Sequence, residues 1–181
     1  VPYATTPASL GIGRDRRTLG IAFRRLKLLP LPVLRNGVSD YSWGERVIFQ
    51  DGGRSDEFIV SGFVEKGGEW RWTAGSRSIL EFKIKPERRE RILHLEAIPL
   101  VSSALKTQRV VVSANGHLVG AWSMANPWGA EYALALPAGL LEKASVLRLE
   151  FEVPNARSPA SLGINDDKRV LGIAIRKLWI E

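Results

Sequence analysis

A 22-residue segment occurs twice in this chain, 152 positions apart. Residues 7–28 read PASLGIGRDRRTLGIAFRRLKL and residues 159–180 read PASLGINDDKRVLGIAIRKLWI, identical at 14 of 22 positions. The match continues upstream, where VPYATT at 1–6 faces VPNARS at 153–158. A fixed period marks tandem modules. A period of one ordinary domain means beads in an array, not the thin repeats of a solenoid. Residues 1–30 then read as the terminal strand and linker of a preceding repeat, and residues 31–181 as a complete module. The LPLPVLRNG stretch between them has the prolines and Asn-Gly of a linker.

Both copies end in the same apolar pattern. Leu171, Ile173 and Ile175 alternate inward, then the parity shifts to Leu178 and Ile180. Copy one does the same with Leu19, Ile21 and Phe23, followed by Leu26 and Leu28. A parity shift within a strand predicts a β-bulge, here at Arg176–Lys177 and Arg24–Arg25.

Elsewhere the chain alternates with period two. ILEFKI (79–84) puts Leu80, Phe82 and Ile84 on one face, and VLRLEFEV (146–153) puts Leu147, Leu149, Phe151 and Val153 inside. RVVVSA and HLVGAW flank Asn115-Gly116, a two-residue hairpin signal. Further strands are expected at 46–50, 57–63, 69–73, 92–98 and 131–136, with a single helical turn within 137–145. Strands at this spacing predict an all-β fold, an antiparallel β-sandwich of jelly-roll type.

Charge excludes one class of partner. The net charge is +7, but Arg14, Arg16, Arg17, Arg24, Arg25 and Lys27 against Asp15 place +5 of it in residues 1–30. The remaining charges alternate in sign, as in ERRER at 87–91, with no aromatics interleaved, so nucleic acid is not an expected partner. No apolar run reaches the roughly 18 residues of a membrane helix, so no membrane insertion is expected. With zero Cys there are neither disulfides nor thiolate sites. The expected location is cytoplasmic, any membrane association being made through the parent protein.

A convergent reactive set is not visible. His94, on the polar face with Glu96, and His117, after the Asn-Gly turn, both read as solvent-exposed. Asp56-Glu57 and Asp166-Asp167 are adjacent pairs, which on a strand face opposite ways. Asp167 reads as a turn residue bracing Arg169. No catalytic residue, metal ligand or cofactor is assigned, and the chain is read as a non-enzyme.

Six tryptophans remain as the functional signal. Indole faces stack on the C–H faces of sugar rings. Trp72 is placed in the core, and Trp128, beside Asn126 and Pro127 in a loop, is expected at the surface. The candidate carbohydrate-binding residues are Trp128, Asn126, Trp43, Trp70 and Asp56.

The sequences Trp43-Gly44-Glu45, SDEFIVSGF (55–63), EWRWTAG (69–75) and the ending SPASLGINDDKRVLGIAIRKLWI (158–180) resemble a β-sandwich accessory module. That module is appended, often in tandem, to bacterial glycosyltransferases that build surface polysaccharides. The resemblance implies a non-catalytic domain, with glycosyl transfer performed elsewhere in the parent chain. It implies poly- or oligosaccharide and neighbouring modules of the parent as partners. Related modules often carry Trp-Ser after the glycine of the second motif, where this chain has Phe63-Val64. The competing expectation is a structural spacer or oligomerisation module without a glycan ligand, its homo-oligomer built through residues 19–28.

Overall fold

Leu147, Leu149 and Phe151 are fully buried, while Arg148, Glu150 and Glu152 between them turn outward. Side chains alternate faces along a strand, so this spacing requires one wet and one dry face. The same logic builds the whole domain. The structure, a computed structural model, describes residues 37–181, which form one compact unit. The expected terminal strand at 19–28, its bulge at Arg24–Arg25 and its role in oligomerisation lie outside the described residues.

The strands are β1 (Val47–Ile48), β2 (Ile59–Ser61), β3 (Arg71–Ala74), β4 (Arg77–Lys83), β5 (Arg91–Pro99), β6 (Gln108–Ala114), β7 (His117–Met124), β8 (Ala130–Leu136), β9 (Val146–Glu152) and β10 (Leu171–Ile180). One helical turn, α1 (Ala138–Leu141), and 3-10 turns at Ser55–Glu57 and Ala160–Leu162 complete the set. One sheet runs β1-β10-β5-β8, with β3 also on β10; the other runs β2-β4-β9-β6-β7. All these ladders are antiparallel. From β3 onward the chain crosses repeatedly between the layers, giving a jelly-roll β-sandwich. The Asn115-Gly116 turn joins β6 to β7 with Asn115 at φ 49°, the left-handed value that hairpins favour.

Between the sheets lie Phe82, Leu147, Leu149 and Phe151 from one layer and Leu93, Leu95, Ile173, Ile175, Leu178 and Ile180 from the other. Phe58 stacks on Phe82 at 4.8 Å, and Tyr41 meets Phe82 edge-on at 5.2 Å. Each such side chain contributes about 1.5–3 kcal/mol of burial, which is the main force closing the two layers. A second tie is polar: the buried Trp122 on β7 donates Nε1 to the Ala133 carbonyl of β8 at 3.1 Å, joining edge strands of different sheets.

The pairing of β10 with β5 shifts register between Ile175 and Lys177, where the parity of the sequence changes. Ile175 and Leu178 therefore both point inward, and Arg176 and Lys177 both stay at the outer face.

The strand β3 departs from expectation. Its inward positions are Arg71 and Thr73, 8% and 0% exposed. Thr73 Oγ1 accepts the Ile173 N–H at 3.0 Å, and Arg71 donates Nε to the Val64 carbonyl at 2.8 Å. Trp72, expected in the core, pairs with Ala174 and is half-buried on the outer face of the sheet. The expectation that His94 is solvated is also corrected. Its side chain is 14% exposed and its ring lies flat on Trp179, with centroids 4.8 Å apart. His117 is exposed. Among the described residues no helix is long and apolar enough to cross a membrane.

Candidate functional site

The loop from β7 to β8 is Ala125-Asn126-Pro127-Trp128-Gly129. Asn126 organises it: its Oδ1 accepts the Trp128 N–H at 3.0 Å and its Nδ2 donates to the Gly129 carbonyl at 2.8 Å. This is the local bracing that makes Asn a turn former. Gly129 sits at φ +98°, and a Cβ there would stand 2.9 Å from Ile98 Cγ2 and 3.3 Å from Trp70 Cη2. The turn thus needs glycine twice over, for its backbone angle and for its approach to Trp70. The product is Trp128, held by its loop yet 89% exposed. An indole so exposed, in a turn braced from behind, leaves its flat face open to contact.

Trp128 overlooks a cleft of about 280 Å³ lined by Trp70, Glu96, Gly129, Ala130, Glu131 and Arg176. Trp70 comes just before β3 and is half-buried, with the Arg176 guanidinium 5.9 Å from its ring centroid. That is cation–π distance, and it fixes the plane of the indole. Glu96, on the outer face of β5, receives Arg176 Nη1 at 3.0 Å and Lys177 Nζ at 2.7 Å. Burial opposes its ionisation, but the hydrogen bonds and charges of Lys177 and Arg176 prevail and hold its carboxyl below the ordinary 4.5. At neutral pH Glu96 is therefore an oriented acceptor and not a proton donor. Glu131 Oε1 lies 2.8 Å from His94 Nδ1. The other ring nitrogen, Nε2, lies 3.0 Å from Glu181 Oε1, off the line of a hydrogen bond.

Two flat apolar surfaces beside fixed carboxylate and guanidinium groups suit a ring with C–H faces and hydroxyl edges. Among the described residues no three His, Asp or Glu side chains gather as metal ligands would.

Three of the residues singled out in the sequence converge: Trp128 and Trp70 at the cleft, Asn126 as the brace behind Trp128. Trp43 does not. It packs edge-on against Tyr41 at 6.1 Å under the Arg91 guanidinium, at the start of β5, whereas Gly129 touches Ile98 near its end. Six or seven residues of strand put the two places about 20 Å apart. Asp56 is elsewhere again. It pairs with Lys66 at 2.9 Å and with the buried Arg71, bracing the 3-10 turn. Desolvation opposes its ionisation, but the Arg71 and Lys66 bonds outweigh this and lower its pKa below 3.8. Asp167 clasps Arg169 with bonds of 3.0, 3.0 and 2.5 Å.

Sequence reasoning missed Glu96, Glu131, Gly129 and Arg176 as site residues. Only the parity shift at Arg176–Lys177 could have pointed to Arg176, because a bulge re-aims side chains. Phe63 packs on Phe49 at 5.8 Å.

The sequence matches no known family profile and no characterised protein sequence. Its structural neighbours include carbohydrate-binding modules. The CBM36-1 domain of a multidomain xylanase from the hindgut metagenome of Trinervitermes trinervoides aligns at 14% identity. That alignment covers 76% of this chain and 95% of that domain, with a TM-score of 0.45. A C-terminal CBM6 of a laminarinase from Zobellia galactanivorans aligns at 10% identity, 75% and 97% coverage and TM-score 0.45. A family 35 carbohydrate binding module from Clostridium thermocellum aligns at 9% identity, 75% and 97% coverage and TM-score 0.43. The likeness lies in the gross β-sandwich arrangement.

Proposed function

We propose that residues 37–181 bind carbohydrate, with Trp128 and Trp70 as platforms for pyranose rings and Glu96, Glu131 and Arg176 as hydroxyl partners. The observation that carries this reading is the indole of Trp128, 89% exposed and braced by Asn126 at the rim of a polar, aromatic cleft. The resemblance of its sequence motifs extends the proposal. The module is a non-catalytic accessory of a bacterial glycosyltransferase that builds polysaccharide, one bead of a tandem array, working in the cytoplasm.

The test is a glycan array followed by calorimetric titration with the chain and its Trp128→Ala variant. Wild type binds a pyranose polymer. The variant loses about 2 kcal/mol of affinity, near thirtyfold, as anchoring tryptophans do. Its stability stays within about 0.5 kcal/mol, since the side chain packs on little. A flat response to neutral, acidic and amino-sugar polymers overturns the reading and leaves the spacer or oligomerisation module in its place.

A further inference from the structure

The turn that carries Trp128 has two sides. Trp128 and Gly129 face the cleft already described; Ala125 and Pro127 of the same turn wall a second hollow of about 320 Å³. Its other residues, Val101, Ser102, Ser103 and Lys106, come from the loop between β5 and β6. That loop is built, not slack. Ser102 and Leu105 exchange backbone hydrogen bonds at 2.9 and 3.2 Å, and Ser102 Oγ accepts the Ala104 N–H at 3.2 Å. At its base the fully buried Gln108 reaches the Leu100 and Gly172 carbonyls at 3.5 and 3.4 Å.

The two hollows differ in charge. In the first, Glu96 is held by Arg176 and Lys177, and Glu131 lies 2.8 Å from His94 Nδ1, so both carboxylates have partners within the protein. In the second, Lys106 has no carboxylate partner among the described residues, and the rest of the lining is apolar or hydroxyl. From Glu96 in one to Val101 in the other is five residues of β5 and its extension, about 17 Å. That distance needs a chain of sugars and not one ring.

We infer that a single polysaccharide strand crosses the Trp128 turn, stacking in the cleft and setting an anionic substituent against Lys106 in the second hollow. The inference rests on the carbohydrate-binding reading of the cleft. It adds the ligand class: an extended acidic polysaccharide whose charged group lies away from the ring that stacks. Continuity through one turn and an ammonium with no carboxylate partner among the described residues are the grounds. A carboxylate or a sulfate ester has the required chemistry.

The test is titration of the chain with a uronic-acid polysaccharide, the same polymer after carboxyl reduction, and a sulfated polymer. Each is repeated with Lys106→Gln and Trp128→Ala, both changes at exposed side chains. Wild type binds the acidic polymer about fivefold more tightly than its reduced form, the worth of one partly exposed charge-assisted bond. Lys106→Gln removes that advantage and leaves the reduced polymer unaffected, while Trp128→Ala weakens both. Equal loss of sulfated-polymer affinity in Lys106→Gln supports recognition of the anion itself; its absence with the acidic effect intact supports recognition of carboxylate. If Lys106→Gln binds the acidic polymer as wild type does, the second hollow is not a subsite, although a Trp128→Ala loss still upholds the cleft. If Trp128→Ala changes neither polymer, both readings fall.

Discussion

Arg176 and Lys177 are consecutive in sequence, yet both grip the Glu96 carboxylate, at 3.0 Å on Oε1 and 2.7 Å on Oε2. In a regular strand neighbours point to opposite faces, and one of the two cations would enter the core. The bulge between Ile175 and Lys177 prevents this. It keeps Arg176 near the Trp70 ring while Lys177 lies 5.9 Å from that of Trp179. One inserted residue thus serves packing and the cleft together.

Glu96→Gln leaves those two cations without their shared anion. The expected cost is about 1 kcal/mol of stability, because the pair is only partly shielded from water. The folded pKa of Glu96 lies below its ordinary 4.5, so its contribution is present above that pH and is lost as pH falls through the depressed value. Chemical denaturation at neutral pH and in mild acid checks the sign. The gap between wild type and variant closes in acid, and a gap that widens there refutes the assignment.

Gly129→Ala forces a side chain at φ +98° against Ile98 and Trp70. We expect a loss of about 2 kcal/mol, with sugar affinity falling as Trp70 is displaced. Gly75, at φ +74° with open space around its Cβ position, is the control. Gly75→Ala costs about 1 kcal/mol and leaves binding unchanged. Thermal melts with parallel titrations distinguish the two.

Asn126→Ala removes both bonds that hold the Trp128 turn. Each bond is worth about 1 kcal/mol, and the loop is exposed, so global stability changes by less than that. Affinity for the glycan falls several-fold because the indole must be ordered on binding. Restoration by Asn126→Asp, which retains the acceptor for the Trp128 N–H, separates bracing from direct sugar contact.

Tyr41 ties the start of the domain to its last strand. Its hydroxyl donates to the Glu45 carbonyl and accepts the Ile180 N–H, both at 2.8 Å. Burial pushes the phenol up to about 12 from 10.0. A raised pKa means its stabilisation is complete below pH 10.0 and is lost as pH rises through about 12. Tyr41→Phe is expected to cost about 1–3 kcal/mol at neutral pH and to flatten the alkaline loss. Denaturation from neutral to alkaline pH, with tyrosinate absorbance followed alongside, reads both effects.

The sandwich was legible because period two is a direct imprint of a sheet with one dry face. Leu80, Phe82, Leu149 and Phe151 declare the core by spacing alone, and Ile175 to Leu178 declare the bulge. The same rule misled at β3, where aromatic content suggested which face was inner. There Arg71 and Thr73 take the buried positions, because each finds a backbone partner across the sheet edge. That sends Trp70 and Trp72 outward. His94 was misjudged for a related reason: polar residues on an outer face can still bury one another, as it does against Trp179. The exposure of Trp128 was readable from loop chemistry. Glu96, Glu131 and Arg176 were not, since they meet only when β5, β8 and β10 pair, and no local pattern encodes that.

The Gly44 amide bonds to the Ile180 carbonyl, and Ile92 exchanges hydrogen bonds with Glu181, so residues 44 and 181 share the pole where β5 begins. The turn of Trp128 and Gly129 is near the other end of β5, beside Ile98. A fluorophore, surface linker or further domain joined after Glu181 therefore departs from the side remote from Trp128. A sandwich held through residue 181 keeps the exposed Trp128 turned toward the solution.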